Sequence, residues 1–93
     1  MYFVERDMFI KALQELGINP KEYEGQKLSL KNMAEIYDFQ YDALLEAVQN
    51  SMLKVYYSYT EDTMWVDALE AAHFYYCVTS FHETFRPEKI KPL

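Results

Sequence analysis

One stripe of the chain carries residue types that can bind a metal. Glu70, His73 and Cys77 stand at helical spacings of three and four, and His82 follows further along. Zinc accepts ligands of these types, but structural zinc sites usually draw on two elements with paired spacing, and a buried cysteine commonly behaves as a small apolar residue. A metal-dependent sensor or enzyme therefore stays an alternative, and we assign no metal or other cofactor.

The remaining polar residues do not form a recognisable catalytic motif. No nucleophile stands in a strand-to-helix elbow, and the two glycines, Gly17 and Gly25, are too few for a phosphate-binding loop. Carboxylates four residues apart, such as Asp42 and Glu46, are typical of a solvated helix face. We expect a protein that is not an enzyme.

The charge balance bears on the class of partner. The chain has 93 residues, which is one domain on size, and a net charge of -6. Residues 28–76 contain eight acids and only two bases, whereas a protein that grips phosphates needs clustered positive charge. Nucleic acid is therefore not the expected partner.

The acids among the first residues and the single cysteine bear on the cellular compartment. Cys77 alone cannot form an intramolecular disulfide, and acids interrupt the first residues before an apolar run of signal length. Nowhere do about 18 apolar residues follow one another, so no segment is expected to span a membrane. We predict a cytoplasmic protein.

Apolar spacing predicts a mainly helical domain with a small β-hairpin. It favours a first helix over residues 4–16 capped by Gly17, a short linker helix at 21–23, and a helix that begins after Ser29. A second helix then starts at Tyr41, strands at 53–59 and 64–66 flank a polar turn, and a long helix begins after Asp67. We divide the single domain into residues 1–27 (first helix and linker), 28–86 (core) and 87–93 (flexible tail).

Residues 28–48 resemble the helix-turn-helix of excisionase and mercury-resistance-regulator (MerR-like) proteins. In that family a small residue lets two helices cross closely, an apolar residue plugs the turn, and further apolar residues lock the second helix onto the first. The residues at those places are Ala34, Phe39, Leu44 and Val48. The hairpin and the following helix extend the resemblance over about half of the chain, and it implies a winged helix-turn-helix.

This sequence departs from the family at the positions that decide function. Asp38 stands where the turn normally has glycine. The second helix, which would read the DNA groove, presents Asp42 and Glu46 outward, and Glu61 and Asp62 occupy the tip of the wing. Carboxylates at these four places would face phosphates, so we predict an acidic partner-binding face and not a DNA-binding one.

Tyrosines are the second candidate for partner contact. Strand alternation sends Val55, Tyr57 and Tyr59 to one face of the hairpin and Tyr56 to the other, so some of the hydroxyls must meet water or a partner. Tyrosine is a common interface anchor, and we assign Tyr41, Tyr56 and Tyr59 to that role. The alternative is that these rings pack the wing on its own helices.

The final helix is apolar nearly all round between residues 74 and 85. A monomer of this size could hardly bury such a surface, and a large exposed apolar patch usually marks an interface. We therefore predict a homodimer through Phe74, Val78 and Phe81.

The leading hypothesis is a non-enzymatic, acidic protein-interaction module that binds a basic protein involved in transcription or DNA handling, and a DNA mimic is one form that such a module could take. The first alternative is a dimeric DNA-binding regulator or excisionase-like protein that uses scattered cations. These are Lys31, Lys54, Arg86, Lys89 and Lys91. The metal-dependent protein is the other alternative.

Overall fold

The computed structural model describes residues 5–79 and 85–90. Within these residues the α-helices are α1 (Arg6–Glu15), α2 (Leu30–Tyr37), α3 (Tyr41–Gln49) and α4 (Ala68–Thr79). The three strands are β1 (Lys27–Ser29), β2 (Tyr56–Ser58) and β3 (Thr63–Asp67), and short 3-10 turns cover Pro20–Tyr23 and Pro87–Lys89. The chain is thus a small, mainly helical domain with a three-stranded antiparallel sheet.

As predicted, α1 ends just before a glycine cap. Gly17 has a φ of 80°, and the amide of Ile18 donates to the carbonyl of Leu13 at 2.9 Å, which satisfies a carbonyl of the last turn. Asn19 then accepts a hydrogen bond from the amide of Lys21 at 3.0 Å and starts the first 3-10 turn. These two caps reverse the chain toward β1.

The boundaries of α2 are set by its capping residues. The Ser29 hydroxyl oxygen accepts a hydrogen bond from the amide of Asn32 at 3.0 Å, so Ser29 is the predicted N-cap. At the other end Asp38 adopts the left-handed conformation, with a φ of 58°, and the amide of Phe39 donates to the carbonyl of Ala34 at 2.9 Å. The backbone can then turn sharply into α3.

The sheet has one strand more than the sequence predicted. Its order is β1-β3-β2, with Leu28 opposite Val66 and Tyr56 opposite Trp65. We expected only a hairpin, because β1 is three residues long and ends at the α2 N-cap, which leaves no alternation to recognise. The first hairpin strand is also shorter than predicted, since pairing covers only Tyr56–Ser58.

The core lies between the helices and the inner face of the sheet. Leu28 and Val66 enter it from β1 and β3, and Leu44 enters it from α3. Ile90 is also buried, although the sequence placed it in a tail. The chain beyond the undescribed residues 80–84 therefore returns to the core.

Candidate protein-interaction face

The two carboxylates that the sequence assigned to the second helix of the helix-turn-helix, which is α3, point to solvent. The inner side of α3 is fixed by Leu44 and Ala47, which are buried, and Asp42 and Glu46 consequently lie on the exposed side. Glu35, on the exposed side of α2, adds a fifth carboxylate to the four that the sequence singled out. Two consecutive helices thus present acids to solvent.

The turn between β2 and β3 holds the other two carboxylates in a defined conformation. The Tyr57 hydroxyl donates a hydrogen bond to the Asp62 carboxylate, and this bond raises the pKa of Tyr57. Asp62 has a φ of 49°, the Glu61 amide donates to the Ser58 hydroxyl at 3.3 Å, and the Thr63 hydroxyl donates to the Glu61 carbonyl at 2.8 Å. Glu61 and Asp62 are both exposed.

The tyrosines assigned to partner contact are exposed but do not share one surface. Tyr41 is 41% exposed and lines a hollow together with Asp62, whereas Tyr56 lines a separate hollow with Lys54, Asp67 and Glu70. Tyr59, at 89%, is the most exposed of the three. The structure therefore groups Tyr41 with the acids and leaves Tyr56 on the outer face of the sheet.

Tyr57 was not among the assigned residues, although it is also exposed. Its ring contacts that of Tyr59 edge to face, with centroids 4.9 Å apart. The predicted alternation is confirmed, because Tyr56 pairs with Trp65 while Tyr57 pairs with Met64 and so points to the opposite side of the sheet. Alternation could place Tyr57 on this side but could not show that its hydroxyl binds Asp62.

Two adjoining hollows lie beside the acids. The larger is an open groove of about 840 Å³ across the turn between α2 and α3, and the smaller, of about 230 Å³, separates the start of α2 from the wing. Lys31 and Tyr41 line both hollows. The sequence does not indicate this feature, because its apolar lining comes from Ala34 and Phe39, whose spacing the helix-turn-helix resemblance already explains.

Ion pairs occupy several other acids and bases of the molecule. Lys89 pairs with Asp38, and Arg6 pairs with Glu70. The Lys27 ammonium lies 4.3 Å from the centroid of the Trp65 ring. Within residues 5–79 and 85–90, the five exposed acids of α2, α3 and the wing tip make no ion pair.

The residues of the metal alternative have other contacts. Glu70 pairs with Arg6, the His73 ring stacks on Phe9 with centroids 4.9 Å apart, and Cys77 is buried. His82 lies outside the described residues. In the part of the chain that the structure describes, no three such ligands converge.

Other parts of the chain bury α4 more fully than the sequence predicted. None of its residues is fully exposed, because α1, β3 and the segment at 85–90 surround it. Phe74 and Val78 remain half-buried, and the Phe74 ring contacts the Phe39 ring edge to face, with centroids 5.6 Å apart. Phe81 lies outside the described residues. The premise that a single chain cannot bury this helix is therefore wrong for residues 74–79, and the dimer stays a prediction.

Comparison with known proteins gave no match to a family model, to a curated protein or to a solved structure. Among the described residues, no helix has the length and apolar character needed to cross a bilayer.

Proposed function

We propose that this chain is a non-enzymatic protein-interaction module built on a winged helix-turn-helix-like scaffold. Three local features support the scaffold: the left-handed turn at Asp38, the buried Ala34 next to that turn, and the hairpin that follows α3. Tight helix-turn-helix packing needs a small residue and a sharp turn at such places. The sheet then places the wing tip near the start of α2.

The observation that carries the proposal is the charge of the face formed by α2, α3 and the wing. We call this the acidic face and define it by Glu35, Asp42, Glu46, Glu61 and Asp62. All five side chains are exposed, and Lys31 is the base that lines the hollows among them. Carboxylates without ion-pair partners on an exposed surface favour a partner with complementary charge.

The same charge argues against the DNA-binding alternative. A groove-reading helix offers cations or amides to bases and phosphates, and each repelled phosphate weakens association. Of the cations that the alternative requires, Lys89 is already paired with Asp38. The partner class that this face fits best is a basic protein that itself handles DNA. The cationic surface with which such a protein binds phosphates can bind the carboxylates of this face instead.

Affinity capture with charge-reversed variants tests the proposal. The intact chain and an Asp42→Lys/Glu46→Lys variant are immobilised and exposed to lysate of the native cells. We expect a basic protein to be retained by the intact chain and lost with the variant, because two attractive contacts become repulsive.

The matched control is Glu15→Lys/Glu24→Lys, which changes the net charge equally at two exposed acids outside the acidic face. We expect this control to retain the same protein as the intact chain. Equal loss with both variants would attribute binding to net charge alone and would contradict the assignment of the acidic face.

A further inference from the structure

The two hollows beside the acidic face offer apolar contacts that charge alone would not require. Phe39 is half-buried in the wall of the larger hollow, Ala34 lies at its base, and Tyr41 stands between this hollow and the smaller one. Met64 and Leu30 line the smaller hollow on the side of the sheet. Each hollow therefore combines an apolar surface with charged groups at its rim.

The shape of the larger hollow points to a macromolecular occupant. Its volume of about 840 Å³ lies within the range of small-molecule sites, but such sites enclose most of the ligand. Five of its seven lining residues are exposed, so the hollow is a groove open along its length. A side chain that projects from a protein segment can fill such a groove while the segment itself remains outside.

The charge around the hollows indicates the character of that segment. Glu35 lines the larger hollow, Asp62 lines the smaller one, and Asp42 follows Tyr41 at the start of α3. Asp38, which also lines the larger hollow, pairs with Lys89, and Lys31 is the base common to both hollows. Cations on the occupant would therefore face carboxylates on either side of the Tyr41 ring.

We propose that the acidic face binds a basic protein segment that inserts large apolar side chains into the two hollows on either side of Tyr41. The inference rests on the proposed function and specifies its partner: the segment contributes apolar anchors as well as cations. Tyr41 is the central contact, because its ring can pack on an apolar anchor in either hollow and can receive an arginine on its face.

Three synthetic peptides separate the contributions of anchor and charge. The first is a heptapeptide in which two phenylalanines alternate with arginines, the second has serines in place of the phenylalanines, and the third has glutamates in place of the arginines. Each is titrated into the full chain labelled with ¹⁵N, and amide shifts give both the affinity and the binding site.

We expect the first peptide to shift the amides of Ala34, Phe39 and Tyr41 and to bind about tenfold more tightly than the serine peptide. We expect no measurable binding of the glutamate peptide. Tyr41→Ser should weaken binding of the first peptide about tenfold, whereas the matched variant Leu16→Ser, at an apolar residue of similar exposure outside both hollows, should leave its affinity unchanged. Circular dichroism of each variant verifies that it is folded.

The outcomes distinguish this inference from the proposed function. Equal affinity of the phenylalanine and serine peptides, with shifts confined to the acidic face, would overturn the role of the hollows while supporting an acidic docking surface. Absence of binding by both cationic peptides would overturn both proposals. Equal binding of the glutamate peptide would overturn the charge argument and leave the hollows as apolar sites only.

Discussion

At the scale of single residues, Asp38 illustrates what the sequence can predict and what it cannot. The resemblance puts Asp38 where the family has glycine, a residue that readily adopts a positive φ, and the observed φ is 58°. The ion pair between Asp38 and Lys89 joins residues 51 positions apart, and no local pattern in the chain indicates such a contact. The sequence thus predicts the conformation of this turn but not its partner.

The backbone at Asp38 gives a prediction about stability. A residue with a Cβ in the left-handed region pays roughly 1 to 2 kcal/mol relative to its right-handed conformation, whereas glycine does not. We expect the Asp38→Gly variant to be more stable than the Asp38→Ala variant by about 1 kcal/mol. Both substitutions remove the contact with Lys89, so their difference isolates the backbone, and urea denaturation measures it. An Asp38→Ala variant at least as stable as Asp38→Gly would contradict the conformation described for this turn.

Two buried tyrosines predict how stability changes at high pH. The Tyr23 hydroxyl is buried without a hydrogen-bond partner among the described residues, and burial, with a smaller effect of the Glu22 charge, raises its pKa from 10.0 to about 12. Burial also raises the pKa of Tyr37, and Tyr23 and Tyr75 add to that effect. Because the folded chain keeps both protons, stability is fully present below the unfolded pKa near 10.0 and falls as the pH rises above it.

The expected loss is about 1.4 kcal/mol per pH unit for each tyrosine once the unfolded phenol is ionised. Urea denaturation at a series of alkaline pH values measures the slope. Tyr23→Phe should reduce it, whereas Tyr59→Phe, at an exposed ring, should not. A slope unaffected by Tyr23→Phe would mean that this hydroxyl ionises in the folded chain as it does in the unfolded one.

At the scale of elements, periodicity predicted each helix and the hairpin because their apolar residues recur at regular spacing. The interior of α2 is an example, with Leu30, Met33 and Tyr37 all buried. The strand β1 escaped prediction, since it is ordered by pairing with β3, which is distant in sequence. Tertiary pairing, and not local preference, makes residues 27–29 a strand.

The N-cap of α2 gives the prediction that belongs to this scale. Ser29→Ala removes the acceptor for the Asn32 amide and should lower the free energy of unfolding by about 1 kcal/mol. Ser29→Asp is the matched control, because aspartate also accepts from that amide, and it should stay within a few tenths of a kcal/mol of the intact chain. Denaturation midpoints measure both. Similar losses in the two variants would show that pairing of β1, and not the cap, depends on this side chain.

At the scale of the whole molecule, the sequence could indicate which acids face solvent, but it could not indicate the hollows in the surface between them. Helical spacing alone assigns Asp42 and Glu46 to the outer side of α3. The hollows around Tyr41 need the crossing of α2 and α3 together with the position of the wing, which depend on long-range packing. Sequence therefore predicted the charge of the candidate site and missed its shape.

The oligomeric state is a further property of the whole molecule. The dimer prediction now depends on the half-buried Phe74 and Val78 and on Phe81. Light scattering should give twice the chain mass of 11.1 kDa, and Val78→Glu should give the chain mass, because a charge would be buried at the interface. The matched control is Leu16→Glu, at an exposed apolar residue outside α4, which should stay dimeric. A mass of 11.1 kDa for the intact chain would contradict the dimer.

Binding to duplex DNA across a range of salt concentration tests the central claim most directly, because the scaffold resembles a DNA-binding fold while the acidic face opposes phosphates. Fluorescence anisotropy of a labelled duplex is measured with the intact chain from about 50 to about 200 mM salt. We predict no saturable binding at any concentration. Saturable binding whose affinity falls steeply as salt rises would show that the protein engages phosphates and would contradict the assignment of this face to a protein partner.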